Sequence, residues 1–132
     1  MVFTPQIMLW KVNKPETNID VPNERAEIDK KLKQLGFSIT GLEVFCIRRS
    51  IDYLSTLNYV NENRIGMMGI SYGGYFSFHT AAADPRIKSI YAAAFFNDRT
   101  KIAFLNWVYK NSANTFCDAE VAALCAPRRR YA

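Results

Sequence analysis

Hydrophobic and polar positions change their spacing several times along the chain, and each change marks an element. Over residues 40–57, Val44, Ile47, Ile51 and Leu54 recur three or four apart, while Glu43, Arg49, Asp52 and Thr56 fall on the other side. That spacing predicts an amphipathic helix able to cover one face of a sheet. Residues 64–70 (RIGMMGI) carry no charge after Arg64, which predicts a short strand buried on both faces. Residues 72–83 (YGGYFSFHTAAA) are apolar almost all round, as in a helix packed under a sheet, and Asp84-Pro85 stops them. Residues 87–96 (IKSIYAAAFF) read as a further buried strand.

The flanks are less periodic. Residues 2–10 (VFTPQIMLW) look like a strand running into a loop, with Pro5 tolerable only near an edge, a bulge or the strand's end. Residues 11–25 are polar, contain Pro15 and Pro22, and read as an exposed excursion. A charged helix over residues 24–35 is closed by Gly36 in the C-cap position. After Asn97-Asp98-Arg99 comes a looser region holding Trp107 and Tyr109, and residues 119–124 form a short helix. The order strand, helix, strand, helix, strand requires right-handed crossovers. The chain is therefore expected to be of α/β class, one domain over residues 1–132 with a parallel sheet of about three strands and flanking helices.

Composition narrows the partners. Hydrophobic residues make up 49% and charged residues 22%, a globular balance. The formal charge of +5 comes largely from Lys30, Lys31 and Lys33 on one polar stretch and from Arg128, Arg129 and Arg130. With no interleaved aromatics and no nucleic-acid motif, these read as a solvated helix face and tail, so no nucleic-acid partner is expected. No apolar stretch approaches about 18 residues and no charged-then-apolar leader is visible, which predicts a soluble protein with no membrane partner and favours the cytoplasm. Cys46, Cys117 and Cys125 are odd in number and lack metal-ligand spacing, so free buried thiols and no metal are expected.

The chemistry concentrates at Gly69-Ile70-Ser71-Tyr72-Gly73-Gly74. Where a buried strand ends and a helix begins at once, a serine between them is forced onto a tight, strained turn that lifts its hydroxyl clear of the sheet. Ser71 is the candidate nucleophile. Gly69 and Gly73 are expected at positions where a side chain would collide with the facing strand or helix, and Gly74 extends the relief. The backbone N–H of Tyr72 would point with the hydroxyl and supply half of an oxyanion hole. Trp10, Asn97, Asp98 and Trp107 are candidates for lining the pocket, Asp98 because it follows the strand beside the elbow at the carboxyl edge where ligands bind. His79, the single histidine, lies roughly 12 Å along the helix from Ser71, too far for a hydrogen bond, and reads as a packed helix histidine.

These residues resemble the α/β-hydrolase superfamily, and more narrowly its dienelactone hydrolase and acetyl xylan esterase-like branch. The resemblance covers nearly the whole chain: the helix FCIRRSIDYL, the link VNENRIG, the elbow GISYGGY, the segment DPRIK and the tail DAEVAALCAPR all look like consecutive family segments. It implies a partial α/β-hydrolase fold in which the acid and histidine of the triad lie beyond Arg128, so that the chain is an incomplete, central part of such a domain. It also implies a small-molecule ester substrate for the full-length parent and two-step acyl transfer, with neither metal nor organic cofactor. Without its base, the chain alone would be inactive or nearly so. Two alternatives stand beside this: a prolyl oligopeptidase-like serine peptidase, whose elbow is very similar to GISYGGY, and a non-catalytic interaction protein on a truncated hydrolase fold. Open sheet edges would favour self-association in either case.

Overall fold

The computed structural model describes residues 1–7, 21–98, 101, 109 and 111–131. Its elements run α1 (Val21–Gln34), α2 (Ile39–Ser55), a 3₁₀ turn (Glu62–Arg64), β1 (Ile65–Ile70), α3 (Tyr72–Ala83), β2 (Ile87–Ala93), a second 3₁₀ turn (Ser112–Asn114), α4 (Asp118–Leu124) and β3 (Arg129–Tyr131). All strand pairs are parallel, in the order β1-β2-β3. Helix α3 lies against both β1 and β2, with α2 and α4 packed on α3 and α1 on α2. This is the expected α/β architecture, a partial α/β-hydrolase sheet with flanking helices.

Local rules account for the boundaries. Gly36 ends α1 at φ +86, and Phe37 N–H reaches back to Leu32 O at 2.9 Å, closing the helix in a Schellman turn. Helix α2 starts at Ser38, whose Oγ accepts from Gly41 N–H at 3.1 Å, while buried Asp29 accepts from Ile39 N–H at 2.8 Å. The buried core is built from Ile47 and Ile51 of α2, Tyr75, Phe76 and Phe78 of α3, and Ile87 and Ile90 of β2. Phe95 joins it just past β2.

Arg128 ties the far end together. Its guanidinium donates to the carbonyls of Ala81, Asp84 and Ile87 at 2.7, 3.0 and 3.0 Å, and to those of Leu124 and Cys125 at 3.2 Å each. One side chain thus satisfies carbonyls at the C-terminus of α3, the start of β2 and the C-terminus of α4.

Several expectations need correction. Residues 2–7 form no strand: Val2 is 91% exposed, and the third strand is β3, on the opposite side of β2. Pro5 lacks the N–H a ladder requires. Residues 8–10 lie outside the described residues. Strand β1 is not buried on both faces but alternates, with Gly66, Met68 and Ile70 exposed, and in register with them Tyr91 is exposed too. Among the described residues the helices pack on one face only and leave the other bare. Strand β2 ends at Ala93 rather than Phe96 because Ala94 turns to φ 57 and leaves the extended region. Arg25, at the end of the expected exposed excursion, and Glu43, expected on a polar helix face, are both buried. Of the thiols only Cys125 is buried, with Cys46 half-buried and Cys117 exposed.

Candidate active site

Ser71 sits between the last residue of β1 and the first of α3, with φ 55 and ψ −119. A non-glycine residue adopts such a backbone only when its surroundings over-determine it, at a cost of about 1–3 kcal/mol. Those surroundings are visible on both sides. Ser71 N–H donates to Ala93 O at 2.8 Å, pinning the turn to the end of β2, and Tyr75 N–H returns to Ser71 O at 3.0 Å as the first bond of α3. The serine is exposed, with its side chain making no capping bond to the helix.

The glycines divide differently from expectation. A Cβ on Gly69 would overlap the carbonyl carbon and oxygen of Gly73 and lie 2.8 Å from Gly74 N; one on Gly74 would meet Ala93 O at 2.7 Å. One on Gly73 would meet nothing within 4 Å. Gly69 and Gly74 therefore carry the close approach of helix to strand. At Gly73 it is the backbone that is crowded, and its own side-chain direction is open.

Tyr72 opens α3, where the first N–H groups of a helix project beyond its own ladder. Its ring is buried and its hydroxyl accepts from Arg25 Nε at 2.9 Å and Nη2 at 2.5 Å. The third arm of Arg25 donates to Glu43 Oε1 at 2.9 Å, with both partners buried. Burial pushes the Tyr72 phenol above its usual range, and the neighbouring Arg25 partly offsets this. This arginine, carboxylate and phenol, one from each of α1, α2 and α3, was not legible in the sequence. A buried arginine in a charged helix has no periodic signature.

Asn97, Asp98 and His79 are engaged with other partners. Asn97 N–H donates to buried Asp118 at 3.0 Å and its side-chain amide to Phe95 O at 2.8 Å, so it fixes the loop after β2. Asp98 pairs with Lys101 at 3.4 Å. His79 is engaged within its own helix, its Nδ1–H donating to Tyr75 O at 2.9 Å and its ring lying 4.0 Å from that of Tyr75. Trp10 and Trp107 lie outside the described residues. Among the described residues no group of three or more His, Cys, Asp or Glu is placed to hold a metal, and no helix is long and apolar enough to cross a membrane.

Residues 47–115, which hold the whole of β1, the elbow, α3 and β2, match the prolyl oligopeptidase family. The chain belongs to the prolyl oligopeptidase family. It is 35% identical over 63 residues to YtaP of Bacillus subtilis (strain 168), a hydrolase by name, covering 48% of this chain and 21% of YtaP. It is 52% identical over 40 residues to the uncharacterized protein YcjY of Escherichia coli (strain K12), covering 30% of this chain and 13% of YcjY. Two structures of glucuronoyl esterase from Solibacter usitatus superpose with TM-scores of 0.55 and 0.54 at 22% and 23% identity. Each covers 70% of this chain and 29% of the esterase. At that identity the likeness speaks for fold, and the fold is that of an α/β-hydrolase. The chain thus spans about a fifth or less of the curated relatives it matches.

Proposed function

We propose that Ser71 is the nucleophile of a serine hydrolase acting on carboxylic esters, with the Tyr72 N–H as one oxyanion donor. The observation that carries this is the exposed serine held at φ 55 between a parallel strand and a helix, the arrangement that a nucleophile elbow requires. In the proposed reaction a base takes the hydroxyl proton as Ser71 Oγ bonds to the ester carbonyl carbon. The tetrahedral oxyanion is held by backbone N–H groups, and the carbon–oxygen ester bond then breaks with the alcohol leaving protonated. Water releases the acid in the second step by the reverse sequence.

His79 is the single histidine, and it lies two turns along α3 from Ser71, roughly 12 Å away and beyond hydrogen-bond reach of the hydroxyl. The proposed base therefore comes from outside this chain, and turnover by the chain alone falls toward background. Loss of one triad member costs up to about a millionfold in comparable enzymes. The family match favours a second reading of the substrate, a peptide cut beside proline. The esterase reading rests instead on the dienelactone hydrolase and acetyl xylan esterase-like segments.

Imidazole in solution can stand in for the missing base. With imidazole present, a fluorophosphonate should modify Ser71, located by mass spectrometry, and Ser71→Ala should stay unmodified. Imidazole-dependent hydrolysis of p-nitrophenyl acetate above the Ser71→Ala control, with a proline-containing peptide left intact, is the outcome expected for an esterase. Cleavage of the peptide instead would move the assignment to a peptidase. Absence of any adduct on Ser71 sinks the nucleophile reading.

A further inference from the structure

We propose that Arg25 is a positioning residue that sets the Tyr72 N–H through the Tyr72 hydroxyl; this rests on the reading of Ser71 as nucleophile. Strand-side restraints on the elbow are the Ser71 bond to Ala93 and the tight Gly69 and Gly74 contacts. On the helix side the restraint falls on Tyr72, the residue that follows the strained serine. Its ring meets Phe76 edge-on at 4.8 Å and lies parallel to Tyr75 at 6.3 Å, and the Arg25 guanidinium sits 5.2 Å from the ring centroid.

Packing alone does not call for a charge here. A guanidinium 1% exposed is costly to desolvate, and α1 could meet α2 and α3 through apolar side chains. What the arginine adds is geometry. Two of its nitrogens converge on one phenol oxygen while a third is anchored by Glu43, so the ring cannot swing without breaking a charge-assisted pair. Fixed at its hydroxyl and packed at its ring, the Tyr72 side chain holds its own Cα in place, and that atom bounds the peptide plane that carries the oxyanion-donating N–H. Lysine could keep the ion pair with Glu43 but not the fork.

Tyr72→Phe, Arg25→Lys and their double variant test this in the 132-residue chain. Tyr72→Phe keeps the ring packing and leaves Arg25 paired with Glu43, so it perturbs the fold less than loss of the arginine does. The rate of fluorophosphonate labelling at Ser71, with imidazole present, should fall about tenfold or more in each single variant, since small misplacements of reacting groups cost that much. It should fall no further in the double variant. The amide NMR resonances of Tyr72 and Gly73 should shift in all three, while those of α4 stay in place. Labelling of Tyr72→Phe at the wild-type rate with an unshifted Tyr72 amide overturns the proposal and leaves the nucleophile reading intact. Additive losses in the double variant also overturn it. If the wild-type chain does not label at all, the nucleophile reading falls and this one falls with it.

Discussion

Asp84 and Arg86 are joined three times: the Arg86 backbone N–H, Nε and Nη2 reach the Asp84 carboxylate at 3.1, 2.9 and 2.6 Å. Arg86 also meets Asp52 of α2 at 2.6 Å, and Arg48 of α2 approaches Asp84 at 3.4 Å. The Arg86 bonds hold the Asp84 carboxyl down at about 2 against an ordinary value of 3.8, with burial opposing the shift. A carboxylate whose folded pKa is depressed stabilises fully above its unfolded value and loses that contribution as pH falls through the folded one. Stability should therefore decline from about pH 4 to about pH 2, by roughly 2 kcal/mol from this group. Asp84→Asn should be less stable at pH 7 by a similar amount and flatter across that window, as read from urea melts at stepped pH.

The elbow glycines should separate cleanly on substitution. Gly69→Ala forces its methyl into the Gly73 carbonyl and should cost about 3 kcal/mol or more, or prevent folding. Gly73→Ala enters open space in a helix and should leave stability within about 1 kcal/mol, in the stabilising direction if at all. Thermal melts of the two variants measure the difference. Equal losses at the two positions would contradict the elbow geometry.

How much of this was open to inspection beforehand depends on the range of the interaction. Helix α3 was read with its observed ends, because Gly69 through Gly74 and Asp84-Pro85 are local signals that act within a few residues. The Gly36 stop was legible for the same reason. The fate of Arg25 and Glu43 was not. Whether a charged side chain on a helix faces water or a buried phenol is decided by three helices distant in sequence, and local pattern carries no trace of it. Strand β1 failed similarly. An uncharged run of six residues fits burial on two faces or on one, and only the placement of the helices decides between them.

The bare face of the sheet has its own consequence. Met68, Ile70 and Tyr91 are 74%, 65% and 46% exposed and adjacent, Met68 in register with Tyr91, and β1 pairs on one side alone among the described residues. Apolar surface next to an unpaired strand edge promotes association. The chain should show concentration-dependent mass by light scattering, and Met68→Lys should shift it toward monomer. A wild-type chain that stays monomeric at high concentration would remove this expectation.

Arg128→Met tests the far end of the fold. It removes the donor shared by five carbonyls at the ends of α3 and α4 and the start of β2. The expected loss is on the order of 3 kcal/mol, since bonds to charged donors contribute about 1.5–3 kcal/mol apiece but are not additive. Arg128→Lys should recover only part of it, because an ammonium cannot span the same set of oxygens. Denaturant midpoints of the three proteins supply the comparison.

The inward turn of Arg128 bears on digestion as well as stability. A protease that selects arginine must draw the side chain into its own specificity cleft, and this one is held by main-chain oxygens from segments far apart in sequence. Arg49, 56% exposed, is held at its side chain by one ion pair with Asp52 and by the Phe45 ring rather than by main-chain oxygens, although its helix must fray before the bond can be cut. Scission after position 128 would therefore report release of the clasp between α3 and α4, making the order of arginyl cleavages a record of which part of the molecule loosens first.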